Sequence, residues 1–171
     1  RALSMTALIA AITLLLSTGV RAFASHTPFI DSHLIPYCLP IALPSFLGAV
    51  LMGPHTAFFL SLWCGFALAI AFENMLILVL LGVLSSMAVV FSLRQVHKRS
   101  AFFKSALAVG GGEILVAISL AAFFQRPPSI LLAEAGVGVV SAQATGLLVL
   151  FLIPLFESIF RVTTDIRLLE Y

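Results

Sequence analysis

The sequence is dominated by six long runs of apolar residues, each interrupted by few or no charged side chains. A helix that crosses a bilayer needs about 20 predominantly apolar residues, and these runs come close to that length. Because backbone polar groups find no water in the hydrocarbon layer, such runs are expected to be helical. We therefore predict an all-α fold, a polytopic membrane helix bundle with about six transmembrane helices. The predicted spans are residues 3–23, 36–52, 56–72, 74–93, 105–124 and 136–156.

The composition supports a membrane protein and argues against several other classes. Only 9% of the 171 residues are charged and 61% are hydrophobic, with a mean hydropathy of +1.18. A soluble domain of this length keeps about 30% of its chain surface exposed to water, which this composition cannot cover with polar groups. The low charge argues against a disordered tail, and a net charge of +2 gives no argument for nucleic-acid binding. Cys38 and Cys64 lie in apolar runs and are too few for a disulfide framework or a zinc site.

The positive charges predict the orientation of the bundle. The run from Arg94 to Arg99, together with Lys104, is the one basic cluster, so this loop is placed in the cytoplasm. Alternation of the spans then places both ends of the chain in the cytoplasm, and leaves Arg21 and Arg126 outside. The Lys and Arg residues predicted to be cytoplasmic are Arg1, Arg94, Lys98, Arg99, Lys104, Arg161 and Arg167.

Two alternatives stay open at this point. The second and third runs are short and meet at residues 53–55, so they could form one broken helix pair, leaving five spans. Arg1, the apolar run through Leu16, and the segment Ala22-Phe23-Ala24 with its two small residues also resemble a cleavable signal peptide. Arg21 lies inside the cleavage region that such a peptide would have, which argues against it.

Glu113 is the most informative single position, because it falls near the middle of the fifth predicted span. An ionised group at that depth costs about 2.5–3.5 kcal/mol on insertion scales, so the side chain should face the bundle interior. The glycines at 110–112 remove three side chains and allow another backbone to approach. Two interpretations remain: a ligand or proton site, or a neutral Glu that hydrogen-bonds to a neighbouring helix across a glycine notch.

Pro40 and Pro44 lie four residues apart in the second predicted span. Each removes a backbone hydrogen bond and crowds the preceding turn, so both are predicted to kink a helix. Inside a membrane such a kink is tolerated only where neighbours or a cavity satisfy the freed carbonyl groups. The kinks would therefore border a binding cavity or serve packing alone.

The sequence has no group of residues with the spacing of a known catalytic motif. It contains no Ser-His-Asp arrangement, no His-Glu-x-x-His and no paired carboxylates on one helix. His26 and His33 share a predicted loop with Asp31, which is a weak basis for a metal site. We therefore assign no catalytic, cofactor-binding or metal-binding residue to this chain.

The last span continues into a more polar tail with the periodicity of a helix. Glu157 and Arg161 are four residues apart and can pair along one face. We divide the chain into a transmembrane helix bundle, residues 1–156, and a juxtamembrane cytoplasmic helix, residues 157–171. The apolar stripe of the tail consists of Ile159, Val162, Ile166 and Leu169, at spacings of three and four residues.

The same tail carries a resemblance to a known family. The residues that carry it are Glu157, Phe160, Thr163, Thr164, Arg167, Leu168, Leu169 and Glu170. They resemble the segment that follows the last membrane helix in bacterial seven-transmembrane receptors with an intracellular HD phosphohydrolase domain. In that family a Glu-x-x-Phe pattern, a Thr and an Arg-Leu-Leu-Glu pattern lead into the HD domain. The segment around Pro40 is also similar to the proline-bearing membrane helix of the family.

The resemblance implies a receptor with an extracytoplasmic sensory domain, a seven-helix bundle and a cytoplasmic HD domain, located in the bacterial inner (cytoplasmic) membrane. The activity of the family is metal-dependent hydrolysis of cyclic di-AMP, so a divalent metal is expected in the HD domain and no cofactor in this chain. The expected partners are the lipid bilayer and the sensory and HD domains of the same polypeptide. A homodimer is left open, and no nucleic-acid partner is expected.

Compared with the family's whole architecture, we expect this chain to lack the sensory domain and the first bundle helix, and to end before the HD motif. Glu113 matches no family motif and inherits no role from the resemblance.

The leading hypothesis is therefore a sensor and transmitter module that is not itself catalytic. The alternative is a small-solute transport component, such as the substrate-binding component of an energy-coupling-factor vitamin transporter. In that case Glu113 and the proline-bearing span would line a site near the membrane midplane. The transport alternative does not account for the pattern in the tail.

Overall fold

The computed structural model describes residues 2–27, 31–72, 75–93 and 100–160. Within these ranges the regular elements are all helices, which confirms the predicted helical membrane bundle. The helices are α1 (Ala2–His26), α2 (Ile35–Cys38), α3 (Leu43–Leu51), α4 (Pro54–Phe72), α5 (Met75–Ser92), α6 (Ser100–Phe124) and α7 (Pro128–Phe160).

All six predicted runs contain helix, but the helices differ in length. Four of them within the described residues are long and apolar enough to cross a membrane: α1, α4, α7 and the Phe103–Phe124 part of α6. Ile35–Leu51 and Leu76–Ser92 are shorter apolar segments. Large apolar side chains such as Trp63, Phe123 and Phe151 are exposed on the outside of the bundle, as expected of a surface that faces lipid.

The second predicted span is not one continuous helix, and the predicted kinks at Pro40 and Pro44 are wrong. α2 ends at Cys38, and Leu39 is extended with ψ 139°. Pro40 explains this break, because a residue that precedes proline is disfavoured in the helical region. Pro44 lies in the first turn of α3, where its missing N–H leaves no helical hydrogen bond unmade.

The second and third predicted spans are separate helices. α3 ends at Leu51 and α4 begins at Pro54, and the turn between them includes Gly53 at φ +99°, a conformation that favours glycine. The two helices pack closely where Gly48 faces Ala57, since a Cβ atom on Gly48 would lie 2.8 Å from Ala57 Cα. This contact fixes the angle at which the chain turns back into the bundle.

The broken segment lies in the centre of the bundle, where residues 39–48 are all buried. It joins two core clusters. The first includes Tyr37, Leu39 and Leu120, and the second includes Phe46 and Phe156. Non-helical backbone is tolerated at membrane depth only where protein or a cavity surrounds it, and here helices surround it. α2 and α3 both contact α7, which itself packs along α6.

α7 begins at Pro128, eight residues before the predicted start of the last span at Gly136. With 33 residues at about 1.5 Å each it is roughly 50 Å long, which exceeds the roughly 30 Å of a bilayer hydrocarbon core. Pro154 lies inside the helix without ending it, and α7 continues to Phe160. The predicted continuation through residues 161–171 lies outside the described residues.

Candidate functional site

The turn between α6 and α7 places an arginine at the end of the helix pair. Gln125 adopts φ 49°, and the Arg126 N–H donates to the Ala121 carbonyl at 3.0 Å. This is the hydrogen bond of a Schellman motif, in which the residue after the helix end takes the left-handed conformation. Pro127 follows and Pro128 begins α7, so the reversal takes three residues. As a result, Arg126 lies over the Phe124 ring, 5.4 Å from its centroid.

Arg126 forms an ion pair with Glu134, two turns into α7. Arg126 Nη1 donates to Glu134 Oε1 at 2.5 Å, and the two side chains are 24% and 0% exposed. A fully buried carboxylate is expensive without a partner, and a charge-assisted bond of this kind offsets part of that cost. The pair therefore allows an acidic residue to lie inside the apolar start of α7.

Glu113 of α6 lies one helical turn further along α7, against Gly138. The side chain is 4% exposed. A Cβ atom on Gly138 would lie 2.7 Å from Glu113 Oε2 and 3.1 Å from Glu113 Cβ, so only glycine fits at this position without displacement. Glu113 thus faces the interior of the bundle and contacts the backbone of a neighbouring helix.

Tyr37 of the short helix α2 completes the group from a third direction. It is 1% exposed, its hydroxyl hydrogen-bonds with Glu134, and the charges of Arg126 and Glu113 also act on it. The thiol of the adjacent Cys38 is also within electrostatic range of Glu113. The break after α2 makes this arrangement possible, because it lets a four-residue helix end beside α7.

We call Tyr37, Glu113, Arg126 and Glu134 the polar cluster. It has an unusual property: Glu113 Oε2 is buried without a hydrogen-bond partner among the described residues, and the buried hydroxyl of Tyr37 has a buried acid, Glu134, as its side-chain partner. Buried polar groups nearly always have such a partner, and each exception needs a physical explanation. Two buried acids and a buried tyrosine hydroxyl, contributed by three helices and surrounded by apolar core, mark the cluster as the candidate functional site.

Of the three glycines at 110–112, two lie against neighbouring helices and one faces open space. A Cβ atom on Gly110 would lie 3.3 Å from Val139 Cα of α7, and one on Gly112 would lie 3.7 Å from Leu84 Cβ of α5. Gly111 has nothing within 4 Å. The triple glycine therefore allows α6 to approach α7 at one position and α5 at another.

The other predicted positions lie away from the polar cluster or outside the described residues. Glu157 is half-buried in α7, and Phe160 stacks on Phe156 with ring centroids 6.0 Å apart. Across the described residues no three His, Cys, Asp or Glu side chains are grouped closely enough to hold a metal ion. The predicted tail positions that lie outside the described residues are Thr163, Thr164, Arg167, Leu168, Leu169 and Glu170.

Sequence reasoning did not single out Tyr37, Arg126 or Glu134 as site residues. The last span was predicted to begin at Gly136 because a charged residue was taken to end an apolar run. One sequence pattern could have revealed the pair: Arg126 is followed by two prolines, and Glu134 comes within two helical turns of them. Because proline favours the first turn of a helix, this pattern predicts that a helix begins at the prolines and contains the acid. For Tyr37 there was no comparable signal, because it reaches the cluster only through the break in the second span.

A scan against protein-family models matches residues 1–164 to the family described as 7TM receptor with intracellular HD hydrolase. The chain belongs to this family. The match covers the bundle and the first part of the tail, so the chain is the membrane region of such a receptor, linked to an HD hydrolase domain. The resemblance seen in the tail is confirmed at the level of the family, and the match favours a receptor over a small-solute transport component. No curated protein and no solved structure matches the chain significantly.

Proposed function

We propose that this chain is the sensor and transmitter module of a receptor-type HD phosphohydrolase that, in its full-length form, hydrolyses cyclic di-AMP. The membership of the 7TM receptor family supports the link to an HD hydrolase. The substrate comes from the tail resemblance, and the divalent metal that this chemistry requires would be held by the HD domain. The chain itself would carry the signal and not the reaction.

The observation that carries the transmitter role is the continuity of α7. This helix includes Glu134 and Gly138 of the polar cluster region near one end and Glu157 and Phe160 near the other. A signal needs two arrangements of the bundle and a stiff element that reports which one is populated. Because α7 is one helix of roughly 50 Å, a shift against α6 at Gly138 would displace its far end.

We also propose that both ends of the chain face the cytoplasm and that the turn at Arg126 faces the outside. The basic cluster at 94–99 and Lys104 supports this orientation through the positive-inside rule. A topology reporter fused after Tyr171 should read cytoplasmic, and one inserted beside Pro128 should read outside. Both reporters on the same side would contradict the proposed orientation.

The transmitter role predicts that output depends on the rotational phase of α7. One alanine inserted after Phe160 turns everything beyond it by about 100° and moves it by about 1.5 Å, whereas seven residues restore the phase to within about 20°. We expect the single insertion to change cyclic di-AMP hydrolysis by the full-length receptor several-fold, and the seven-residue insertion to restore most of the original rate.

The assay uses the full-length protein in membranes with a divalent metal, and the amount of protein in the membrane serves as the control for folding. Equal rates for all three lengths would show that α7 is a passive tether. If the unmodified receptor does not hydrolyse cyclic di-AMP at all, the proposed substrate is wrong.

A further inference from the structure

Gln143 is a polar side chain in the middle of the longest described helix. It lies one residue from the midpoint of α7 (Pro128–Phe160) and is half-buried. Its amide carries two N–H donors and one carbonyl acceptor. Within the part of the chain that the structure describes, this amide makes no hydrogen bond. The nearby hydroxyl of Thr145 differs, because it donates to the Ser141 carbonyl of its own helix at 2.8 Å.

The depth of Gln143 in the membrane means that water cannot supply the missing partner. More than about 20 Å of helix separates it from either end of α7, which is far beyond the reach of its side chain. The surrounding medium at this depth is hydrocarbon, where an amide without a hydrogen bond is costly. Polar side chains of membrane helices accordingly form hydrogen bonds to other helices. The partner of Gln143 therefore has to come from outside the described part of the same copy.

Gln143 lies at a shallow hollow on the outside of the α6–α7 pair. The empty space in the hollow is about 140 Å³, well below the roughly 300 Å³ at which ligand pockets begin. The hollow thus suits a side chain of a neighbouring helix better than a small-molecule ligand. Its α7 residues are spaced i, i+3, i+4 and i+7, so they share one face of the helix. The lining consists of Phe103 and Ala106 of α6 and Gln143, Gly146, Leu147 and Leu150 of α7.

We propose that this face of α7 is the contact between two copies of the receptor, in which Gln143 of each copy hydrogen-bonds to Gln143 of the other. Two copies inserted in the same orientation are related by an axis along the membrane normal, so residues of equal depth meet at a two-fold contact. The second copy is thus the one partner certain to present an amide at this depth.

The chemistry of the amide supports a second copy as the occupant. A primary amide is complementary to itself, because its N–H donates to the carbonyl of the facing amide and its own carbonyl accepts in return. A single polar residue of this kind at a helix seam fixes the register and the number of helices in coiled coils. Phe103 and Leu147, 50% and 43% exposed, flank Gln143 and would shield the paired amides from lipid.

The first test is disulfide formation in membranes that contain the full-length receptor. Gln143→Cys, oxidised with copper phenanthroline, should give a covalent dimer. The matched control is Trp63→Cys, at the middle of α4 and 71% exposed, which should stay at the background of the unsubstituted receptor with its Cys38 and Cys64. A Gln143→Cys variant that stays at this background, as expected if a lipid tail or a different helix covers the hollow, would overturn the proposal. So would equal dimer formation by Trp63→Cys.

The second test measures the dissociation constant of the dimer of full-length receptor in lipid vesicles, from energy transfer between labelled copies. Gln143→Leu should weaken association about 3- to 30-fold, the range for hydrogen bonds between membrane helices. Leucine is favoured in a membrane helix, so the variant tests the amide and not insertion. Gln143→Asn keeps an amide and should lose less.

The matched control for the second test is Thr145→Val, which removes a hydroxyl that bonds within α7 and should leave the dissociation constant unchanged. Equal association of Gln143→Leu and the unmodified receptor, or an equal loss in Thr145→Val, would contradict the proposal. Neither test depends on the hydrolase reaction, so both outcomes are independent of the proposed transmitter role.

Discussion

The helix pairs α4–α5 and α6–α7 use the same packing devices and hold different chemistry. In α4–α5, Gly65 and Gly82 face each other, and a Cβ atom on Gly82 would lie 3.4 Å from Gly65 Cα. In α6–α7 the corresponding contacts are tighter, 3.3 Å from a Cβ on Gly110 to Val139 Cα and 2.7 Å from a Cβ on Gly138 to Glu113. Both crossings thus rely on glycine for close approach, as is common in membranes.

Each pair also has an arginine near its end that lies over a phenylalanine ring. Arg21 of α1 lies over Phe72 at 4.7 Å and donates to the Ala71 carbonyl at the end of α4, at 3.3 Å. Arg126 lies over Phe124 and reaches a buried carboxylate instead. At α4–α5 the polar contact is the Ser61 hydroxyl, which donates to the Gly82 carbonyl at 3.4 Å.

This comparison teaches that a glycine crossing does not by itself mark a functional site. Small residues let two helices approach, and that need is the same at both crossings. The distinction lies in what is buried beside the glycine: a neutral serine at one crossing and two carboxylates at the other. Buried acids inside a membrane are expensive and are kept where they have a role.

The largest expected difference between the two pairs concerns their arginines. Arg126→Gln leaves the fully buried Glu134 without its counter-charge and should lower the free energy of unfolding by about 3 kcal/mol. This is the lower end of the range for breaking a buried ion pair, chosen because Arg126 is 24% exposed. Arg21→Gln removes an exposed contact at a helix end and should cost less than about 1 kcal/mol. Denaturant titration in detergent micelles measures both.

The double variant Arg126→Gln with Glu134→Gln provides the control, because it removes both charges and leaves no unpaired ion. It should recover a large part of the stability lost in Arg126→Gln alone. Similar losses in the free energy of unfolding for Arg21→Gln and Arg126→Gln would mean that the two helix ends are equivalent. The proposed difference between the α4–α5 and α6–α7 pairs would then be wrong.

The fold was largely predictable from the sequence, because hydrophobic run length determines where membrane helices can form. The runs at 56–72 and 105–124 match α4 and the apolar part of α6 closely. The second span was wrongly predicted to be a kinked helix, although the rule that a residue before proline avoids the helical region applies to Leu39 directly. The position of Glu113 in a span was visible in the sequence, together with the glycines that precede it.

The rest of the polar cluster could not be predicted from local patterns. Glu134 was treated as the edge of a span because its partner, Arg126, becomes close only through the turn at Gln125. Tyr37 is more than seventy residues from each acid it approaches and joins them through tertiary packing of α2 on α7. Sequence periodicity shows which face of a helix is buried, but not which residues of separate helices meet.

The glycines provide a smaller and more local test of the same comparison. Gly138→Ala places a methyl group against Glu113 and should lower the free energy of unfolding by about 1–3 kcal/mol, as overpacking does in well-packed cores. Gly82→Ala makes only an ordinary contact, 3.4 Å to Gly65 Cα, and gains helix propensity, so it should change stability by less than about 1 kcal/mol. Gly111→Ala, with nothing within 4 Å, is the matched control in α6 and should be neutral or slightly stabilising.

A double-variant cycle identifies the cause of the Gly138→Ala effect. Glu113→Ala removes the carboxylate that the new methyl group meets at 2.7 Å but keeps the Cβ atom at 3.1 Å, so the relief should be partial. We expect a coupling free energy of about 1 kcal/mol between the two positions, within the range for residues in contact. Additive effects of Gly138→Ala and Glu113→Ala would mean that the glycine serves helix approach alone. In that case the α6–α7 crossing would differ from the α4–α5 crossing only by its ion pair.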